Sequence, residues 1–199
     1  MTQSGLYYHT QLKSKVSIAP NELDGDLDNH ILKNLRSKVE NKCNEHGIII
    51  RVTRVLSYEY GMIDKTNFTG TTIYKVEYEC LICSPRKDVE IVGIIDNIIE
   101  GYLVARNGPV VIVVSINNVE SQKFQIKDNS LVYLKTKKAV EKGDYIKVSV
   151  INTSNNLGEK RTTTICKLLD IATKDDISKF NDEQNLINGD NIADDEEFI

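Results

Sequence analysis

Cys80-Leu-Ile-Cys83 has the spacing of half a zinc site and is the segment of this chain with the most direct chemical reading. Two such thiolates grip one metal only when a tight turn folds them together, and a structural site then needs a second pair. Here the four residues end the alternating run TIYKVEYECLIC, a strand pattern that sends positions 80 and 83 to opposite faces of a sheet. Cys43 and Cys166 stand singly elsewhere, so four reduced thiols are expected, with no metal and no cofactor. His9, His30 and His46 belong to no nucleophile or metal motif, and Gly93, Gly101 and Gly108 are too sparse for a phosphate-cradling loop. The residues argue against an enzyme.

The basic side chains read differently. Lys123, Lys127, Lys135, Lys137 and Lys138 gather in one segment, Lys142 and Lys147 follow, and Arg106 precedes the turn Asn107-Gly108-Pro109. Tyr102, Phe124, Tyr133 and Tyr145 are interleaved with them, and lysines that meet phosphates beside aromatics that stack on bases suit a single-stranded nucleic acid. Acids share the same segment, which keeps a plain solvated face in play.

The formal charge of −4 conceals an asymmetry: residues 170–199 hold ten acids and two bases, leaving the remainder mildly basic. A tail such as INGDNIADDEEFI offers little apolar area to offset its ordering entropy, and disorder is expected over residues 173–199. No apolar stretch approaches the roughly 20 residues of a membrane span, and the first residues lack the layout of a signal peptide. An intracellular protein without membrane contact is expected. The chain carries 24 isoleucines, 18 asparagines and 19 lysines against 3 prolines, the bias of an AT-rich genome.

Certain elements must hold these residues in place. Residues 6–18 suit an opening strand ended by Pro20. Leu27, Ile31, Leu35, Val39 and Cys43 then fall four apart, one stripe of a helix with Asp24, Asp26 and Asp28 at its start and Gly47 as its stop. GIIIRVTRVL predicts a strand from about Ile48 to Leu56, a polar, turn-prone loop follows, and TIYKVEYECLIC closes an α+β unit over residues 1–85 with the helix on a small antiparallel sheet. Beyond Pro85 come VEIVGIIDNI, EGYLVAR, PVVIVVSI, DYIKVSVINT and TTTICKLLDI, with the longest insertion after the third. Five short strands in that arrangement predict an all-β, five-stranded OB-type barrel over residues 86–172.

The order of these pieces resembles the stalk subunit of multisubunit DNA-directed RNA polymerases, the family of the seventh subunit of eukaryotic RNA polymerase II and the archaeal E-type subunit. The likeness covers about residues 5–170. It rests on Ile18-Ala19-Pro20 before the helix, GIIIRV, the loop with GMID and TNFTG, the strand YKVEYECLICSP, then EIVG and GYLVARNGPVVIVVS with its Gly-Pro corner. Arg86-Lys87-Asp88 replaces the family's usual Lys-Gly-Glu step, the first loop has fewer glycines, and the acidic tail is additional.

The resemblance implies a non-catalytic subunit whose partners are core polymerase subunits, a small helical stalk subunit and single-stranded nascent RNA. It assigns docking to Pro20 and to the loop holding Tyr58, Gly61, Asn67 and Gly70, and RNA contact to the barrel through Tyr102, Arg106, Tyr133, Lys135, Lys137 and Lys138. Joined to the AT-rich bias, it points to a large DNA virus as source, acting in host cytoplasm and virion, or otherwise to the nucleus. Two rivals remain: a free-standing OB-type RNA-binding regulator, for example in translation, and a barrel that binds protein alone.

Overall fold

Val16 and Ile18 are buried while Lys13, Lys15 and Ser17 on the alternate positions are exposed, and this period of two makes the first element, β1 (Tyr7–Ile18), a strand with one covered face. The computed structural model to which it belongs describes residues 5–63, 68–99, 101–127, 130–135 and 137–189. After a single 3-10 turn at Pro20–Glu22 comes α1 (Leu27–Val39), then β2 (Lys42–Asn44), β3 (Gly47–Tyr58), β4 (Met62–Ile63) and β5 (Thr72–Cys83). The sheet runs β1-β5-β3-β2, antiparallel throughout, with β4 pairing the start of β5. One compact unit comprises Tyr7–Ser84 with Asn156–Lys160.

The core of this unit is the helix stripe on the sheet. Ile31 and Leu35 of α1 meet Val16, Ile18, Val52, Tyr74, Val76 and Tyr78. Each of those two helix side chains contributes about 1.5–3 kcal/mol by leaving water. Cys80 lies in the same cluster, and burial pushes its thiol up to about 11, so it behaves as a small apolar residue. Cys80 and Cys83 occupy one strand at positions of opposite facing, and both are buried.

The helix is shorter than its apolar stripe predicts. Asn41 takes a left-handed φ of 56° after Val39, and Cys43 lies in β2, hydrogen-bonded into a hairpin with β3. Gly47 is the hairpin corner and not a helix stop: Asn44 Oδ1 accepts from the His46 and Gly47 amides, and a Cβ at 47 would sit 2.4 Å from the Cys83 carbonyl oxygen.

The second unit contains Pro85–Asn155 and the described residues from Arg161 onward, together with Gly5 and Leu6. Its strands are β6 (Glu90–Ile99), β7 (Tyr102–Asn107), β8 (Val110–Val119), β9 (Phe124–Lys127), β10 (Ser130–Tyr133), β11 (Lys138–Ala139), β12 (Tyr145–Ser154) and β13 (Thr162–Ile171). Five of them close a barrel in the order β12-β13-β8-β7-β6, with β13 and β8 parallel, which is the OB-type closure. Alternate residues such as Leu103, Ala105, Ile112, Val114, Val148 and Leu168 fill the interior. The long insertion is a separate three-stranded sheet, β11-β10-β9, anchored by the Lys123 ammonium and the Tyr133 hydroxyl on Asp170 of β13, at 2.6 and 2.7 Å.

The described part of the acidic tail, residues 173–189, departs from the expectation of disorder, and residues 190–199 lie outside the described residues. Lys174–Asn188 forms a helix, α2, capped by reciprocal hydrogen bonds between Thr173 and Asp176 and stopped by Gly189 at φ 81°. Local capping and one buried anchor outweigh composition: Phe180 is buried edge-on against the Tyr145 ring at 5.5 Å. The corner residue Asn107, fully buried, donates to the Val92 carbonyl and to Glu183 Oε2 and accepts from the Gln184 amide.

Burial raises the Glu183 pKa, and the Asn107 hydrogen bond offsets only part of that rise. A carboxyl raised by folding stabilises most while protonated, in acid, and that stability is lost as pH rises through its folded pKa. Glu183→Gln keeps an acceptor for Asn107 and removes the titration. Thermal melts should therefore show the variant above the wild type at and above neutral pH and equal to it in acid; equal melting temperatures at every pH would contradict the burial of this carboxyl.

Candidate functional site

Four of the five residues assigned to docking come together at one end of the helix-on-sheet unit, and Asn67 lies outside the described residues. The Tyr58 hydroxyl donates to Asp28 Oδ1 at 2.6 Å, a bond that raises the tyrosine's pKa. The Tyr58 ring stands edge-on to Tyr74 at 5.8 Å. Gly61 passes so close to β5 that a Cβ there would lie 2.4 Å from Thr72 Cγ2 and 2.6 Å from Tyr74 Cζ. Gly70, at φ +73°, faces Pro20, whose Cγ is 3.2 Å from where a Cβ would be. These contacts tie the loop to α1 and the sheet on both sides of its tip.

What the loop displays was missed by reading it as polar. Tyr60 and Phe68 are 97% and 99% exposed, and Met62 and Ile63, fixed by β4 pairing with Ile73 and Thr72, are 56% and 59% exposed. Large apolar side chains held this far into water on one loop mark an interaction surface. Beneath them Leu27, Tyr58, Tyr60, Met62 and Tyr74 line an open, largely apolar cleft of about 820 Å³. The sequence signal was available as three aromatics and two aliphatics around the single glycine of YEYGMIDKTNF.

The residues assigned to RNA fall on two elements. Tyr102, half exposed, and Arg106 stand on the outward face of β7, but the Arg106 guanidinium is paired with Asp96 of β6 at 3.1 Å. Lys135, Lys137 and Lys138 are exposed on the inserted sheet, Lys135 5.9 Å from the Tyr133 ring centroid. Tyr133 itself is buried against Phe124 with its hydroxyl on Asp170, which removes it as a stacking platform. Burial alone would push Asp170 up, yet the bonds from Lys123, Tyr133 and the Ile171 amide hold its carboxyl below the usual range. Asp170 is thus an ionised anchor for the insertion. Among the described residues, no cluster of three or more His, Cys, Asp or Glu side chains is arranged to hold a metal, and no helix is long and apolar enough to cross a membrane.

A helix-on-sheet unit followed by a closed five-stranded barrel is consistent with the two-domain architecture of Rpb7-type RNA polymerase subunits. Residues 13–66 match the family model described as the SHS2 domain found in the N terminus of Rpb7p/Rpc25p/MJ0397. Over all 199 residues, and the whole length of both chains, the sequence is 47% identical to a putative DNA-directed RNA polymerase subunit of Acanthamoeba polyphaga mimivirus. It is 26% identical over 149 residues to the RNA polymerase subunit Rpo7 of Sulfolobus acidocaldarius, covering 73% of this chain and 80% of that one. It is 25% identical over 125 residues to the RNA polymerase II subunit RPB7 of Glycine max, covering 62% and 70%. The chain belongs to the Rpb7-type family of DNA-directed RNA polymerase subunits.

Adding a methyl group at Gly61 must displace Thr72 or the Tyr74 ring, both buried. Gly61→Ala should lower stability by about 1–3 kcal/mol, the usual cost of overpacking, in a chemical denaturation experiment. An unchanged midpoint would contradict the close approach of loop and sheet.

Proposed function

We propose that the protein is a non-catalytic stalk subunit that docks on the core polymerase through the loop Tyr58–Gly70 and contacts nascent RNA with its barrel unit. The observation that carries the reading is the near-complete exposure of Tyr60 and Phe68 on a loop tied down on both sides. An anchored loop loses little entropy on binding, so aromatic side chains displayed there are suited to be interface anchors. Membership of a family of polymerase subunits supplies the partner.

RNA contact is assigned to Lys135, Lys137 and Lys138, which no ion pair neutralises among the described residues, with Tyr102 as a stacking surface. Arg106 is a weaker candidate because Asp96 already partners it. Binding of this kind is sequence-tolerant and screened by salt.

Two experiments separate these assignments. Tyr60→Ala and Phe68→Ala should each weaken binding to purified core polymerase by about 1–2 kcal/mol or more without changing the melting temperature, since both side chains are exposed; binding unaffected by the pair together would refute loop docking. Replacing Lys135, Lys137 and Lys138 by Ala removes three phosphate contacts. The log–log salt dependence of single-stranded RNA affinity should then flatten by about 2, whereas an unaltered slope would leave the barrel without this RNA role and favour a protein-only surface.

A further inference from the structure

The hairpin between β10 and β11 carries cations that the protein leaves without a carboxylate. It turns over residues 134–137, with Tyr133 paired to Lys138 across its base. Lys135, Lys137 and Lys138 are exposed and enter no ion pair among the described residues, whereas Arg106, Lys147 and Lys167 elsewhere on the barrel are engaged by Asp96, Glu90 and Glu120. Lys137 takes a left-handed φ of 55° within the turn. Beside the lysines Leu134 is 40% exposed, and its amide donates to the Lys123 carbonyl at 2.8 Å. Lys123 and Tyr133 in turn are fixed on Asp170, so the tip is an anchored turn that presents three cations around one apolar side chain.

The same unit contains the chemical complement of this tip. The ten residues that follow Gly189 read DNIADDEEFI, with five acids and no base. Asp194, Asp195, Glu196 and Glu197 are consecutive, and Phe198 and Ile199 come directly after them. Four acids beside two apolar residues answer three lysines beside a leucine.

The length of the segment suits the distance it has to cover. Helix α2 begins four residues beyond Asp170, where the insertion is anchored, and it is fixed along the barrel by Phe180 on Tyr145 and by Glu183 and Gln184 on Asn107. Its 15 residues rise about 22 Å, while ten extended residues reach about 33 Å. A segment that leaves the far end of α2 can therefore return to the end of the barrel that carries the insertion.

We propose that residues 190–199 are the tip's own anionic occupant: the carboxylates of 194–197 pair with Lys135, Lys137 and Lys138, Phe198 covers Leu134, and RNA phosphates must displace them. The inference rests on the RNA reading above and adds its regulation. Exposed ion pairs are individually weak, but a tethered segment competes at an effective concentration of about a millimolar, which is enough to hold off loosely bound RNA and yield to a longer strand.

The test uses the full chain at low salt. A zero-length carbodiimide joins a carboxylate to an ammonium only where the two touch, and peptide mass spectrometry reads the links. Links should form between residues 194–197 and Lys135, Lys137 or Lys138 within one chain, at a yield independent of protein concentration, and single-stranded RNA should abolish them. Ending the chain at Gly189, which keeps the α2 cap and Phe180, should tighten single-stranded RNA binding by roughly 5- to 10-fold. Asp194→Asn, Asp195→Asn, Glu196→Gln and Glu197→Gln together should reproduce that gain in a chain of full length. The gain should disappear when Lys135, Lys137 and Lys138 are Ala. Absence of links to the tip, links only between two copies, or a gain that survives the lysine replacement would overturn the inference, the last because it marks general repulsion of RNA by the segment. The RNA reading stands by itself if lysine replacement weakens RNA binding and no links form. Links alongside RNA binding that ignores the lysine replacement would overturn both the RNA reading and the competition.

Discussion

Tyr74 belongs at once to the core under α1 and to the floor of the loop proposed for docking, and the arrangement of that end of the molecule follows from this double membership. It is 9% exposed, shares a core cluster with Ile31 and Leu35 of α1, and is met edge-on by Tyr58. Because the core fixes Tyr74, the loop above it inherits a rigid floor, and the absent Cβ of Gly61 lets the backbone settle on it. Stability and display are thus coupled: the loop can hold aromatics in water because ordered protein beneath it constrains their positions.

The barrel unit solves a different problem. Its inward positions are filled and its outward charges are largely paired, Arg106 with Asp96, Lys147 with Glu90 and Lys167 with Glu120. Surface pairs of this kind add little stability, but they leave fewer cations for an anionic ligand. The inserted sheet differs, because Lys123 is engaged in anchoring on Asp170 while Lys135 and Lys137 in the turn before β11, and Lys138 at its start, are exposed and outside any ion pair among the described residues. Positive charge suited to RNA is therefore concentrated on the insertion more than on the outward face of β7.

Much of this architecture was legible from residue order. The alternation of TIYKVEYECLIC and the five barrel strands appear where the pattern puts them, because covered-face alternation and turn residues are local signals. The end of α1 was not, since Cys43 fits a helical stripe as well as it fits β2, and only its pairing with Ile48 decides between them. Nor was α2: an acidic composition suggested disorder, while the Thr173–Asp176 cap and Phe180 supply order from a few residues. Tyr133 shows the same limit from the functional side, for an aromatic among lysines suits stacking until its partner Asp170, distant in sequence, is known. Residue types nominated the docking loop only by resemblance, and exposure identified which of its side chains are offered.

The most direct measurement is photo-crosslinking from position 68 of the full chain, with a benzophenone-bearing residue in place of Phe68, in the presence of core polymerase and single-stranded RNA. The account predicts a crosslink to a core polymerase subunit that Tyr60→Ala diminishes. A crosslink to RNA alone, or none to any polymerase subunit in an otherwise assembled complex, would contradict it.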